Sequence, residues 1–144
     1  MEDRIKQILK ESIHETQFIV VVDKTGLAIT SIDANTQKRI DPSMETVVAG
    51  IGAAVLSLAA STSTVTNQGN FRELIIKNER GTILILDAGE SALLIGFLPP
   101  NIKYTNSLAS LKQAAQKIIN LKITPSLPPQ PEPKGKTDFF IPDI

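Results

Sequence analysis

The chain has no cysteine, one histidine and no excess of either charge. Without cysteine there are no disulfides, no thiolate nucleophile and no thiolate zinc site. His14 is the only imidazole, so any triad needing histidine would have to be built on it alone. It lies in a charged, periodic segment, where it reads as a boundary or surface residue. Formal net charge is zero, with no basic run to neutralise a phosphate backbone, which argues against nucleic-acid binding by counterion release. Aromatic residues make up 4% of the chain against 42% for all apolar types, so its core has to be aliphatic. Apolar runs are interrupted by Gly, Glu or Lys before the roughly 18–20 residues of a bilayer span. The opening Met1-Glu2-Asp3-Arg4 is unlike a secretory leader. A soluble, cytoplasmic chain with no membrane insertion is expected, and 144 residues suit one domain.

What is present falls into a clear order. Ile5, Ile8, Leu9 and Ile13 recur at helical spacing and predict an amphipathic helix over 3–16. Residues 18–22 form an apolar, largely β-branched run that ends in the turn signal Asp23-Lys24-Thr25-Gly26, and a second strand follows over 27–32. Asp41-Pro42 marks a helix start, with Asp at the N-cap and Pro at the first helical position. That helix is expected to run to about Ser61, weakening through Thr62-Ser63-Thr64-Val65-Thr66. Three strands follow over 71–77, 82–86 and 91–98, with a glycine in each connection. Leu108, Leu111, Ala115, Ile118 and Ile119 mark a last helix over 106–121. Strands apolar on both alternating faces need cover on both sides. The predicted fold is therefore α+β: helix, two strands, helix, three strands, helix, with a five-stranded antiparallel sheet sandwiched between helices. Residues 1–122 form this domain. A Pro-rich tail, 123–144, holds six of the nine prolines and reads as an extended linker that carries Phe139, Phe140 and Ile141.

Signals for chemistry dissolve on inspection. Asp87 and Glu90 are close in sequence, but both fall in a hairpin turn, where Asp serves local backbone bonding. Gly50-Ile51-Gly52-Ala53-Ala54-Val55 begins like a dinucleotide fingerprint, yet Val55 replaces the third glycine and the segment lies inside a helix. No phosphate-binding G-x-x-x-x-G-K-[ST] loop occurs. Neither a catalytic constellation nor a cofactor is expected.

The second helix carries the information. Glycine costs about 1 kcal/mol relative to Ala in a helix interior, so Gly50 and Gly52 ask for a reason. At 100° per residue, Met44, Val48, Ile51, Val55 and Leu58 form a stripe expected to face the sheet. Gly50, Ala53, Ala54, Ser57, Ala60 and Ser61 form a small-residue stripe that suits close approach of a second copy's helix. Glu45, Ala49, Gly52 and Leu56 are expected on the side away from both. The third strand, by its place in the order, is a sheet edge. Edges are blocked or paired, and Arg72, Glu73 and Lys77 could block it, or two copies could pair there about a twofold axis. Gly50, Ala53, Ala54, Ser57, Ala60, Arg72, Leu74 and Ile76 are therefore the expected dimer interface.

Phe18-Ile19-Val20-Val21-Val22-Asp23-Lys24-Thr25-Gly26-Leu27-Ala28-Ile29 resembles the opening of the Roadblock (dynein light-chain) family: an apolar strand, D-x-x-G, then a second strand. The small-residue helix, the three later strands and the closing helix continue the likeness over about residues 1–122. The resemblance implies a profilin- or longin-like sandwich that dimerises through its second helix and third strand. It further implies a non-enzymatic role, as a scaffold or as a regulator of a Ras-like GTPase, similar to bacterial and archaeal members. In such members the paired second helices help hold the GTPase, which would place partner contacts at Glu45, Ala49, Gly52 and Leu56. Phe139, Phe140 and Ile141 are a second candidate docking element. The alternatives are a cargo or complex adaptor without a GTPase, and a small-molecule sensor, which needs an internal pocket with a few polar groups.

Overall fold

The computed structural model describes residues 1–122. The tail, with Phe139, Phe140 and Ile141, lies outside the described residues. The elements are α1 (Glu2–Ser12), β1 (Phe18–Asp23), β2 (Ala28–Asp33), α2 (Pro42–Thr66), β3 (Glu73–Asn78), β4 (Gly81–Asp87), β5 (Ala92–Leu98) and α3 (Tyr104–Asn120). The five strands form one antiparallel sheet, as predicted, in the order β2-β1-β5-β4-β3. α1 and α3 cover one face and α2 covers the other.

The two faces follow from strand alternation. Ile19 and Val21 of β1, Leu84 and Leu86 of β4, and Leu94 of β5 point to the α1/α3 side. There they meet Ile5, Leu9, Leu111 and Ile118. Val20, Val22, Ile85, Leu93 and Ile95 point to the other side, against Val48 and Ala49 of α2. Aliphatic side chains fill both layers; the one stacked aromatic pair among the described residues is Phe18–Phe97, at the sheet's α2 side.

Local chemistry sets the element ends. In the β1–β2 connection Asp23 Oδ1 accepts from the Thr25 and Leu27 amides and the Thr25 hydroxyl. Gly26 takes φ +103°, a conformation L-residues avoid. That is the physical content of the D-x-x-G signal. Asp41 and Pro42 occupy the predicted start of α2. Its end lies beyond the predicted Ser61: Thr62, Thr64 and Thr66 turn their hydroxyls back onto the carbonyls of Leu58, Ala60 and Thr62, and Asn67 closes the helix with φ +56°. Bonded to carbonyls four residues back, these hydroxyls are kept from the non-helical backbone bonds they otherwise favour, at a small cost in helix stability. α1 stops sooner than predicted, and His14 falls in the exposed turn that follows.

The expectation about apolar length needs correction. α2, at 25 residues, is long and apolar enough by length and composition to cross a membrane. The glycines and Glu45 do not break it. It nevertheless lies along the sheet and buries Val48, Ala49 and Gly52 against it. Its excess apolar surface is therefore surface the rest of the domain leaves bare.

Candidate interaction surface

How α2 sits on the sheet decides which residues are free. Its buried residues are Glu45, Val48, Ala49 and Gly52, spaced at three and four. At Gly52 an added methyl would lie 3.1 Å from Val22 Cγ2 and 3.2 Å from Ile95 Cδ1, so the missing side chain is what lets helix and sheet meet. Gly50 has no such reason, because nothing lies within 4 Å of the corresponding point. The structure reverses the expected faces. The spacing argument puts Glu45, Ala49, Gly52 and Leu56 outward for a partner. Instead Glu45, Ala49 and Gly52 are buried and Leu56 is half-buried. The same argument sets Met44, Ile51 and Leu58 against the sheet; they are exposed, Leu58 at 67%. Of that stripe Val48 is buried and Val55 half-buried. The physical reason is proximity: small residues seat a helix closely, and the larger side chains then have to point elsewhere.

A buried carboxylate on that face is tolerable because it is paired. Glu45, 6% exposed, receives Arg39 in a fork, Nε to Oε2 at 2.9 Å and Nη2 to Oε1 at 2.8 Å. It also receives the Ser31 hydroxyl. Arg39 Nη1 reaches Glu2 Oε2 at 3.1 Å. Burial is the largest influence on Glu45 and opposes ionisation, yet the bonds from Arg39 and Ser31 and the charge of Arg39 together hold its carboxyl below the ordinary range. The bond to Glu45 in turn raises the pKa of Arg39. This network ties α1, β2 and the start of α2 together; it is a clip.

The outward face of α2 has its own order. Met44, Val47, Ile51, Ala54, Leu58, Ser61 and Val65 alternate in steps of three and four, the spacing of a coiled-coil seam, and all are exposed. Val47 is 58% and Val65 85% exposed. Sequence reasoning misses this seam, although two apolar stripes on one helix are the signal that only one can be buried. Of the predicted interface stripe, Ala54 and Ser61 lie on the seam, while Gly50, Ala53, Ser57 and Ala60 flank it; Gly50, Ser57 and Ala60 are exposed and Ala53 is half-buried.

Beside the seam, the sheet is bare. Phe71, Leu74, Ile76, Ile83 and Phe97 on the α2 side are only half-buried, and a groove of about 570 Å³ runs between α2 and β3, lined by Val55, Leu58, Phe71 and Leu74. β3 is one of the two sheet edges, paired with β4 alone, β2 being the other. The Arg72 carbonyl accepts from the Asp87 amide at 3.0 Å. Bonded pairs recur every second residue in an antiparallel ladder, so Leu74 and Ile76 turn their backbone groups to β4 while Glu73, Ile75 and Lys77 turn theirs outward. Arg72 thus faces inward through its backbone, with an exposed side chain. A second hollow of about 600 Å³ lies between the far half of α2, the β4–β5 turn and Ile119. Asp87, beside it, pairs with Lys24 at 2.7 Å, and Glu90 is exposed.

These features, a D-x-x-G hairpin, a helix laid across the sheet with its apolar seam outward, and an open third strand, match a known architecture. The model of the Roadblock/LC7 domain matches residues 9–97. The chain belongs to the Roadblock/LC7 family. Among solved structures, an MglB described as having a tetrameric arrangement is similar at TM-score 0.73 and 20% identity, over 83% of this chain and 88% of that one. The gliding protein MglB from Thermus thermophilus gives 0.73 and 19%, over 83% and 89%. Profilin IA from Acanthamoeba castellanii gives 0.54 and 10%, over 85% and 98%, in keeping with the profilin-like sandwich of this Roadblock domain. A search of curated proteins by sequence finds no match.

Proposed function

We propose that this Roadblock protein is a non-catalytic dimeric scaffold or regulator of a small Ras-like GTPase, acting in the cytoplasm. The observation that carries the reading is the bare apolar step formed by the α2 seam and the adjoining half-sheet, with the unpaired β3 edge at its rim. Large contiguous apolar patches mark interaction sites, and a second copy would cover the helix and extend the sheet at once. Leu74 and Ile76, half-buried on the α2 side, belong to this interface, with Ala54 at the seam. The sequence lacks a nucleotide-cradling loop, so the nucleotide would belong to the partner.

The GTPase surface is reassigned from the buried Glu45, Ala49 and Gly52 to the flank of α2 away from β3. There Gly50, Ala53, Ser57 and Ala60 leave the helix backbone accessible. The β1–β2 turn stands beside them, Gly26 close to Ala53, and presents Leu27 at 53% exposure. The test is capture of GTPases from the source organism on the immobilised full chain, with GDP or with a non-hydrolysable GTP analogue. Selective retention of a Ras-like GTPase in one nucleotide state is expected, with loss on Leu27→Asp or Ala53→Arg. Retention that ignores nucleotide state and both substitutions would defeat the assignment. Turnover of the captured GTPase with and without the chain then separates regulator from scaffold.

A further inference from the structure

The edge strand reads as its own complement. Along β3 the residues Glu73, Ile75 and Lys77 all turn backbone donors and acceptors to the open edge, and their side chains share the α1/α3 face. On that face Glu73 Oε1 lies 3.1 Å from Lys112 Nζ, and Lys77 Nζ sits 4.7 Å from the centre of the Tyr104 ring. In an antiparallel pair of identical strands the twofold axis passes through a residue that faces itself. With the axis at Ile75, Glu73 stands opposite Lys77 of the second copy, Lys77 opposite Glu73, and Leu74 opposite Ile76. An axis at Glu73 or Lys77 sets like charges face to face. At Leu74 it puts Glu73 opposite Ile75, and at Ile76 it puts Glu73 opposite Glu79. Only the Ile75 register pairs charge with charge and apolar with apolar.

α2 supports a twofold pairing on its own pattern, without choosing the strand register. With Ala54 on an antiparallel axis, Val47 falls level with Ser61 of the second copy, and Ile51 and Met44 fall within one residue of Leu58 and Val65. The smallest apolar residue falls on the axis, where two helices approach closest. Both patterns are sequence facts placed on exposed faces by the fold.

We propose that Glu73 and Lys77 form a self-recognition code that selects a second copy of this chain, in the register centred on Ile75, as the partner strand. This rests on the dimer reading above and goes beyond it by naming the register and the residues that choose the partner. Opposite charges directly across a ladder stabilise and like charges destabilise, and the twofold applies each effect twice.

The test uses the full chain in sedimentation equilibrium. Glu73→Lys alone and Lys77→Glu alone should each weaken self-association about tenfold, because each places like charges opposite each other twice. An equimolar mixture of the two should form a mixed dimer with affinity within about threefold of the original, since every facing pair is then opposite in sign. The variant carrying both changes should self-associate normally and refuse the unaltered chain. Cysteine placement reads the register directly, because the chain has no other thiol. Facing residues of a bonded antiparallel pair lie about 5.5 Å apart at Cα, inside the disulfide range. Ile75→Cys should therefore cross-link to itself on oxidation, and Glu73→Cys only to Lys77→Cys. A stable dimer whose single-reversal variants show no preference for each other, or whose cysteines link in another register, overturns the code and leaves the dimer standing. A monomeric chain at about 100 µM, well above ordinary specific affinities, overturns both.

Discussion

Gly50 and Gly52 illustrate how two identical residues in one helix do different work. Gly52 is a contact surface for Val22 and Ile95, and a larger side chain there would lift α2 from the sheet. Gly50 faces open space, so Gly50→Ala should raise the stability of the domain by about 0.5–1 kcal/mol through helix propensity alone, as read by urea unfolding. The Glu45 clip has the opposite sensitivity. Arg39→Ala leaves a buried carboxylate without its fork and should cost about 2 kcal/mol, less than a fully buried pair because Arg39 is partly exposed. The folded pKa of Glu45 is lowered, so its contribution is present above the ordinary carboxylate range and fades as pH falls through the lowered value. Arg39→Ala should therefore lose stability at pH 7 and differ little from the original chain near pH 2. Sequence alone could not see the clip, because a glutamate in the first turn of a helix looks solvent-facing until an arginine six residues earlier folds back over it.

At the scale of elements, the order of all eight and the hairpin pairings were legible, because β-branched runs, glycine turns and the Asp41-Pro42 start are local signals. The pairing of β1 with β5 joins distant segments, and no local signal announces it. Boundaries slipped where side chains found local partners, as in the threonines near the end of α2, whose hydroxyls bond to carbonyls four residues back. The orientation of α2 was not legible for a different reason. Hydrophobic periodicity reports how many apolar faces a helix has, and only tertiary distance decides which one the sheet takes. α2 has two, and the one with smaller residues won. Leu58→Lys tests the consequence: at 67% exposure the substitution should leave the far-ultraviolet circular dichroism of the domain unchanged while abolishing self-association in light scattering. Loss of the fold would instead place Leu58 in the monomer's own core.

The described domain is a sheet with α1 and α3 over one face and α2 over only part of the other. In the proposed dimer, association adds stability by mass action, so each tenfold increase in protein concentration should raise the unfolding midpoint by about 2–4 °C, with no such dependence for Leu58→Lys. Hydrogen exchange at Glu73, Ile75 and Lys77 amides should slow over the same range, since these are the edge groups a second strand would engage.

The arrangement of charges along β3 has a consequence for lineages as well as for molecules. Exchanging the glutamate and the lysine would give a strand that still matches itself yet repels its parent. After a gene duplication, two substitutions on one short segment would be enough to insulate the daughters from each other. One substitution in each daughter, of opposite sense, would bind them into an obligate couple. The same hexapeptide can therefore encode separation or mutual dependence without any change to the core beneath it.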